Sequence, residues 1–154
     1  MKTILTLALI YCHPRILLGM KKRGFGQGRW NGFGGKVKEN EKIEEALIRE
    51  VKEEANLQPE KFEKAAIIDF EFQGKSGILQ VHLFKVFSFA GKPQESEEMR
   101  PKWFDVKEIP YEEMWSSDKY WLPVFLANEK FKAKFLFDSS DQVLNFRLER
   151  VKTI

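Results

Sequence analysis

The sequence predicts an α+β domain, α/β in the broad sense, in which one mixed β-sheet carries a few helices. Three observations predict it. Strand-length stretches that alternate or run apolar are separated by turn residues along most of the chain. One long stretch, residues 42–55, instead repeats its apolar residues with a helical period. The order of these stretches is not the strict strand–helix alternation that builds a parallel βαβ sheet. The 154 residues, 43% apolar and 14% aromatic, suffice for one packed core. Residues 1–154 contain no internal repeat, linker or low-complexity block, so a single domain is expected.

Residues 3–11 and 15–21 read as two strands around a His13-Pro14 turn. Residues 24–35 hold six of the ten glycines and read as an irregular loop. In the helix at 42–55, Leu47, Val51 and Ala55 recur every four residues and form a packing flank, and Pro59 follows its stop. Residues 63–73 and 78–89 read as strands joined by the hairpin signal Gly74-Lys75-Ser76-Gly77. Residues 99–106 suggest a further strand with Pro101 near an edge or its start. Residues 110–114 and 118–128 read as helical, the second with Pro123 interrupting it or near its start. Residues 131–138 and 143–151 alternate like a closing hairpin.

Composition narrows the function classes. A net charge of +3 does not imply a large nucleic-acid surface but suits a small polyanionic ligand. The single cysteine, Cys12, sits in an apolar run, where packing is expected; one cysteine excludes an intrachain disulfide and suits a reducing compartment. The apolar N-terminus lacks a small-residue cleavage site and runs directly into Ile16-Leu17-Leu18, so it reads as strand rather than signal peptide. No stretch approaches the ~18 apolar residues of a membrane span. A cytoplasmic protein is expected, with nuclear or mitochondrial pools compatible, and no membrane partner.

Glu50, Glu53 and Glu54 stand at positions i, i+3 and i+4 of the expected helix and share one arc of its surface. A glutamate-rich helix is commonly a solvated face. Carboxylates converging on one point instead call for a cation, and Mg2+, with Mn2+ as a substitute, takes hard oxygen ligands while keeping sites for phosphate. The surrounding pattern favours the cation. Gly35 is followed after five residues by Glu41, then after seven by Arg49-Glu50, apolar Val51, Lys52, Glu53-Glu54, Ala55, Asn56 and apolar Leu57. This resembles the signature box of the Nudix hydrolases, departing only at Asn56, where the family has glycine. The residue there ends the helix, and Asn tolerates the left-handed conformation next best.

The resemblance implies a Nudix-type α/β/α sandwich with a loop-helix site. Glu50 and Glu54, one helical turn apart, are the best direct metal ligands, and Glu53 is placed to bind a second metal or activate water. Arg49 is expected to orient the glutamates by charge-assisted hydrogen bonds, and Glu41 to brace the loop. The resemblance adds the Gly34 carbonyl as a ligand and Glu98, a loop acid outside the box, as an assistant to metal or water. The glycine loop itself is neither a P-loop, since Val37 follows Gly35-Lys36, nor a dinucleotide fingerprint. Among the nearby cations Lys21, Lys22, Arg23 and Arg29, Lys21 and Arg23 are expected to hold phosphate oxygens.

Beyond the box, the strings MKKRGFG, GRWNGFGGKV and EEMRPKWF, and the MW and YW pairs at residues 114–121, are similar to the eukaryotic oxidised purine nucleoside triphosphate hydrolases, over about Thr6 to Val151. That likeness implies a base pocket drawn from Thr6, Phe25, Asn31, Phe70 and Phe72, with Leu79, Met99, Trp115, Asp118 and Trp121. Trp115 offers a stacking platform and Asn31 a donor and an acceptor. The family carries two adjacent Asp residues where this chain has Ser117-Asp118. A lone carboxyl cannot share a proton with a neighbour, so an altered ranking of modified purines is expected. The expected activity is magnesium-dependent hydrolysis of 8-oxo-dGTP or related oxidised or methylated purine triphosphates to the monophosphate and pyrophosphate, by a monomer needing no nucleic acid. The alternatives are another Nudix substrate, such as a nucleotide sugar, dinucleotide polyphosphate or capped RNA, and a non-catalytic nucleotide- or RNA-binding module.

Overall fold

The computed structural model describes residues 1–154. Its centre is β1 (Lys2–Cys12), which turns at His13-Pro14 into antiparallel β2 (Arg15–Lys21). After the short β3 (Trp30–Asn31) comes helix α1 (Ile43–Ala55). The chain continues through β4 (Gln58–Phe72), β5 (Ile78–Ala90) and β6 (Met99–Asp105). Helix α2 (Asp118–Leu126) precedes the closing hairpin of β7 (Lys130–Phe137) and β8 (Val143–Val151). The eight strands form one mixed sheet ordered β3-β2-β1-β5-β4-β7-β8, with β6 on β2. The β1–β5 and β4–β7 pairs are parallel and the others antiparallel.

Strand alternation divides the core into two layers. Ala8, Ile10, Leu17, Phe84 and Val86 point to one face, where Leu47, Val51 and Ala55 of α1 cover them. Leu9, Ile16, Leu18, Leu83 and Phe135 point to the other, covered by Trp121, Leu122 and Phe125 of α2. The sheet is therefore sandwiched between helices. Leu47 and Val51 are fully buried, and truncating Leu47 to Ala would cost ~2–5 kcal/mol by lost burial and a cavity.

Local chemistry explains the boundaries. The Glu45 carboxylate accepts the Lys42 backbone N–H at 2.8 Å and opens α1. Asn56, at φ 59° and ψ 36°, closes it in the left-handed conformation, its N–H bonded to the Lys52 carbonyl. Gly74 and Gly77 carry positive φ in the β4–β5 turn.

Several expectations need correction. The strand expected from residue 63 begins at Gln58 and includes Pro59; the ladder shifts register between Pro59 and Lys61, and that irregularity accommodates a residue with no N–H. The helix expected at 110–114 is a single 3-10 turn, Tyr111–Glu113, because Pro110 precedes it and only three residues follow in helical form. The second helix ends at Leu126, not at 128, with Pro123 inside it and Asn128 at φ 62° beyond it. Cys12 is exposed at the end of β1 rather than packed.

Candidate active site

The glycine segment is built onto β1. The Thr6 N–H donates to the Gly35 carbonyl at 2.9 Å and the Ala8 N–H to the Phe33 carbonyl at 2.7 Å. This approach leaves no room for side chains. A Cβ on Gly34 would lie 2.7 Å from the Thr6 carbonyl carbon, and one on Gly35 would lie 2.7 Å from the Glu50 carboxyl carbon. Two glycines thus allow backbone to pass between β1 and the glutamates of α1. The Gly34 N–H donates to Glu54 Oε1 at 2.9 Å, while the Gly34 carbonyl accepts no hydrogen bond.

Arg49 organises the acids. Its Nε and Nη2 grip the two Glu41 oxygens at 2.7 and 3.0 Å, and Nη1 reaches Glu50 Oε1 at 2.7 Å and Glu53 at 3.5 Å. Nη2 also donates to the Lys36 carbonyl. Arg49 foremost, then the Lys38 N–H, holds the Glu41 carboxyl at about 2, well below the usual carboxylate range. Glu41 in turn, with Glu50, holds the guanidinium above its ordinary value. Glu53 is exposed.

Glu54 contrasts with them. It is 5% exposed and receives only the Gly34 N–H. Burial raises its pKa to about 8; the Gly34 bond and Lys21 oppose the rise, and Glu50 and Glu98 add to it. Glu98 faces the helix from the loop before β6, held below its ordinary value by hydrogen bonds from Lys21 Nζ at 2.8 Å and Arg23 Nε at 2.9 Å. Lys21 and Arg23 are thus engaged by a carboxylate in this conformation. Ser96 fixes the loop: its Oγ donates to the Glu54 carbonyl and accepts the Glu98 and Met99 N–H groups.

A buried carboxylate with no ion-pair partner, a second carboxylate one turn away and an unpartnered carbonyl fit a hard divalent cation. No three acidic side chains already converge into a ready-made cage. The Arg49–Glu50 ion pair occupies one of the oxygens such a cage would use.

A second cluster lies on the α2 side. Trp115 meets Phe25 at 5.1 Å between ring centroids, Phe72 at 6.1 Å and Phe137 at 5.5 Å. Phe70 stacks on Phe135 and Phe137 and pairs with Leu79 across β4–β5. Phe25 is 66% exposed and covers the plate from the glycine loop. Just after Trp115 in the chain, Ser117 and Asp118 are buried and Ser117 Oγ donates to Asp118 Oδ1 at 3.4 Å. Asp118 Oδ2 and the buried Trp121 Nε1 have no partner. Burial raises the Asp118 carboxyl to about 7, against the pull of Ser117, Trp121 and Arg29; the indole N–H acts from nearby without reaching hydrogen-bond geometry.

Asn31, Met99 and Thr6 belong by register to the other face. Asn31 pairs with Gly19, whose Cβ position abuts Met99 and Phe33, and Met99 is buried in the layer under α1. Thr6 shares its strand face with Ala8, and its buried Oγ1 lacks a partner. No hydrogen bond or ring contact joins these three to the Trp115 group. Sequence reasoning missed Ser96, Ser116, Phe137 and Asp141, and noted Arg29 only as one of four cations. No local pattern marks them, because their partners are distant in sequence. A shallow groove lined by Asn128, Lys130 and Lys152 holds the Arg150–Glu129 ion pair and no acid cluster.

Comparison with known proteins accords with this geometry. Residues 3–125 match the family model described as NUDIX domain. The chain is 44% identical over 151 residues to an oxidized purine nucleoside triphosphate hydrolase of Danio rerio, covering 98% of this chain and 97% of the relative. It is 47% identical over 146 residues to the Mus musculus protein of the same description, covering 95% and 94%. Its fold superposes on the MutT protein of Bacillus halodurans with a TM-score of 0.85 at 24% identity, covering 96% and 97% of the two chains.

Proposed function

The chain belongs to the NUDIX family, and from that premise we propose that it hydrolyses oxidised or methylated purine nucleoside triphosphates, such as 8-oxo-dGTP, to the monophosphate and pyrophosphate, so removing damaged nucleotides from the pool. The observation that carries this reading is the pairing of two sites in one chain. Glu54, buried under the Gly34 amide, feels the charges of Glu50 and Glu98, and an aromatic group around Trp115 stands three residues from the buried, half-satisfied Asp118 carboxyl. The near-full-length likeness to the two named hydrolases supports it.

Nudix hydrolases need a divalent metal; here we assign Mg2+, with Mn2+ as its substitute, to Glu50, Glu54 and the Gly34 carbonyl, with Glu53 at its rim. When bound, the ion offsets the charge that develops on phosphate oxygens and lowers the pKa of water. The chain's own groups do the rest. Arg49 ties Glu41, Glu50 and Glu53 together and so holds Glu50 beside Glu54 on the helix. Lys21 and Arg23 present cations to the polyphosphate, exchanging Glu98 for phosphate oxygens. Water oxygen bonds to the β-phosphorus as the bond from that phosphorus to the α–β bridging oxygen breaks. The water proton passes to a carboxylate of the cluster, and the nucleoside monophosphate leaves on the bridging oxygen. The base stacks at Trp115, roofed by Phe25, and offers its edge to Asp118 and Trp121. Phe70, Phe72, Leu79 and Ser117 complete the proposed pocket walls, and Thr6, Asn31 and Met99, on the opposite face of the sheet, are left out of it.

We read the enzyme as a cytoplasmic monomer; one chain supplies both clusters, and no helix is long and apolar enough to cross a membrane. The test is a pyrophosphate-release screen over normal and damaged nucleotides, with Mg2+ and with chelator, on the wild type and Glu54→Gln. Metal-dependent turnover biased to modified purines is expected, with Glu54→Gln slower by about 100-fold or more and base binding retained. An unchanged Glu54→Gln rate, or equal turnover of every nucleotide, would overturn the reading.

A further inference from the structure

The Trp115 plate is braced from outside by residues that neither cluster uses. Arg29 stands at the exit of the glycine loop, one residue before β3, and its guanidinium carbon lies 4.2 Å from the Trp115 ring centroid. Its Nη1 forms an ion pair with Asp141 at 3.1 Å. Asp141 lies in the turn between β7 and β8, at φ 60°. That turn is itself rigid, since Asp138 Oδ1 accepts the Ser140 and Gln142 N–H groups. A second tie runs in parallel: Ser116 Oγ, next to the plate, donates to the Asp141 carbonyl at 2.8 Å and accepts the Val143 N–H at 3.1 Å. Three segments distant in sequence therefore meet on one ring.

Within the loop the Gln27 N–H donates to the Gly24 carbonyl and the Arg29 N–H to the Gly26 carbonyl, turns that do not themselves fix the loop against Trp115. Residues 24–28 carry three glycines at positive φ, and the loop closes through the Lys21 and Arg29 backbones. Phe25, the exposed cover of the plate, rides on it. A guanidinium sandwiched between an indole face and a carboxylate is held more firmly than by either partner alone.

We infer that Arg29 and Asp141, with Ser116, form a latch that positions Trp115 and the Phe25 loop, so that the β7–β8 turn sets affinity for the purine without touching it. These are positioning residues, and their assignment to base affinity rests on the function proposed above. The Arg29 charge also acts on Asp118.

The experiment compares wild type with Arg29→Gln, Asp141→Asn and the double variant. Asn tolerates the left-handed backbone at 141, so that substitution removes charge without straining the turn. The latch predicts KM for 8-oxo-dGTP raised about three- to tenfold in each single variant. It also predicts kcat within about twofold of wild type, an unaltered inhibition constant for inorganic triphosphate, and a double variant no worse than the worse single one. Hydrogen exchange of amides 24–29 should quicken in Asp141→Asn. Unchanged KM with unchanged exchange, additive effects in the double variant, or an equal loss of triphosphate inhibition would each overturn the latch. A wild type that turns over no modified purine triphosphate would overturn the functional reading instead. The exchange comparison then still decides whether the latch exists.

Discussion

Replacing Asp118 by Asn should change how stability depends on pH. Asp118 is 3% exposed, one carboxyl oxygen has no partner, and burial lifts its pKa from 3.8 to about 7. A carboxyl with a raised folded pKa holds its proton more tightly in the native state. It therefore favours the native state fully below about pH 4, and that advantage drains away as pH rises to about 7, where the buried group ionises. The gap between 3.8 and about 7 corresponds to about 4 kcal/mol across the whole window, of which roughly 2–3 kcal/mol falls between pH 5 and 8. The charged or titratable groups acting on it are Arg29 and Tyr111, the latter itself raised by burial and by Asp118. Asn cannot ionise. Urea denaturation of both proteins at pH 5, 6, 7 and 8 isolates the effect, because every other titrating group contributes to both curves. Any constant penalty from fitting an amide into the pocket shifts the difference without tilting it. The stability of Asp118→Asn relative to wild type should rise by roughly 2–3 kcal/mol over that range. A difference that stays flat with pH would refute the reasoning.

Other perturbations have definite outcomes. Ser117→Asp sets a second carboxyl beside the first in a fully buried position, restoring a shared proton; the rates for 8-oxo-dGTP, 2-oxo-dATP and methylated purine triphosphates should change rank, and identical rankings would sink the role given to Ser117. Gly34→Ala pushes a methyl against the Thr6 carbonyl and should lower stability by about 1–3 kcal/mol or more in thermal denaturation, with an unshifted midpoint counting against the close approach. Ser96→Ala removes one donor and one acceptor tying Glu98 to the end of α1. It should cost about 1–2 kcal/mol and lower kcat more than it raises KM; steady-state kinetics showing a pure KM effect would dissociate Ser96 from Glu98.

What could be read from the chain divides by distance. Glu50, Glu53 and Glu54 lie within one helical turn, so spacing alone set them on one arc, and Asn56 marked the helix end for a local backbone reason. Spacing could not show how differently three neighbouring acids would behave. Glu53 remains in solvent, Glu50 is paired with Arg49, and Glu54 alone is sealed under the Gly34 amide. That inequality comes from β1, whose backbone presses the glycine segment onto the helix. Cys12 was misjudged for a related reason: an apolar run said nothing about which residue would stand at the strand's exposed end. Pro59 and Pro110 carried a plain local signal, but its result depended on the β5 partner in one case and on the shortness of the segment in the other.

The proposed base site shows the limit most clearly. Trp115 and Asp118 lie close together in sequence, yet the groups that determine their behaviour arrive from the glycine loop, from β4 and from the turn after β7. A carboxyl in water would be ionised and indifferent to its neighbours. The same carboxyl, buried with one oxygen unpaired and an unpaired indole N–H nearby, has its pKa raised to about 7, so both its protonation states are populated around neutral pH. In the base site proposed above, such a carboxyl would donate to one purine edge when protonated and accept from another when ionised. In that proposed site, base discrimination rests on Asp118 staying buried beside Trp115 and Phe25, and any change that loosens either aromatic should blunt purine discrimination before it slows phosphate cleavage.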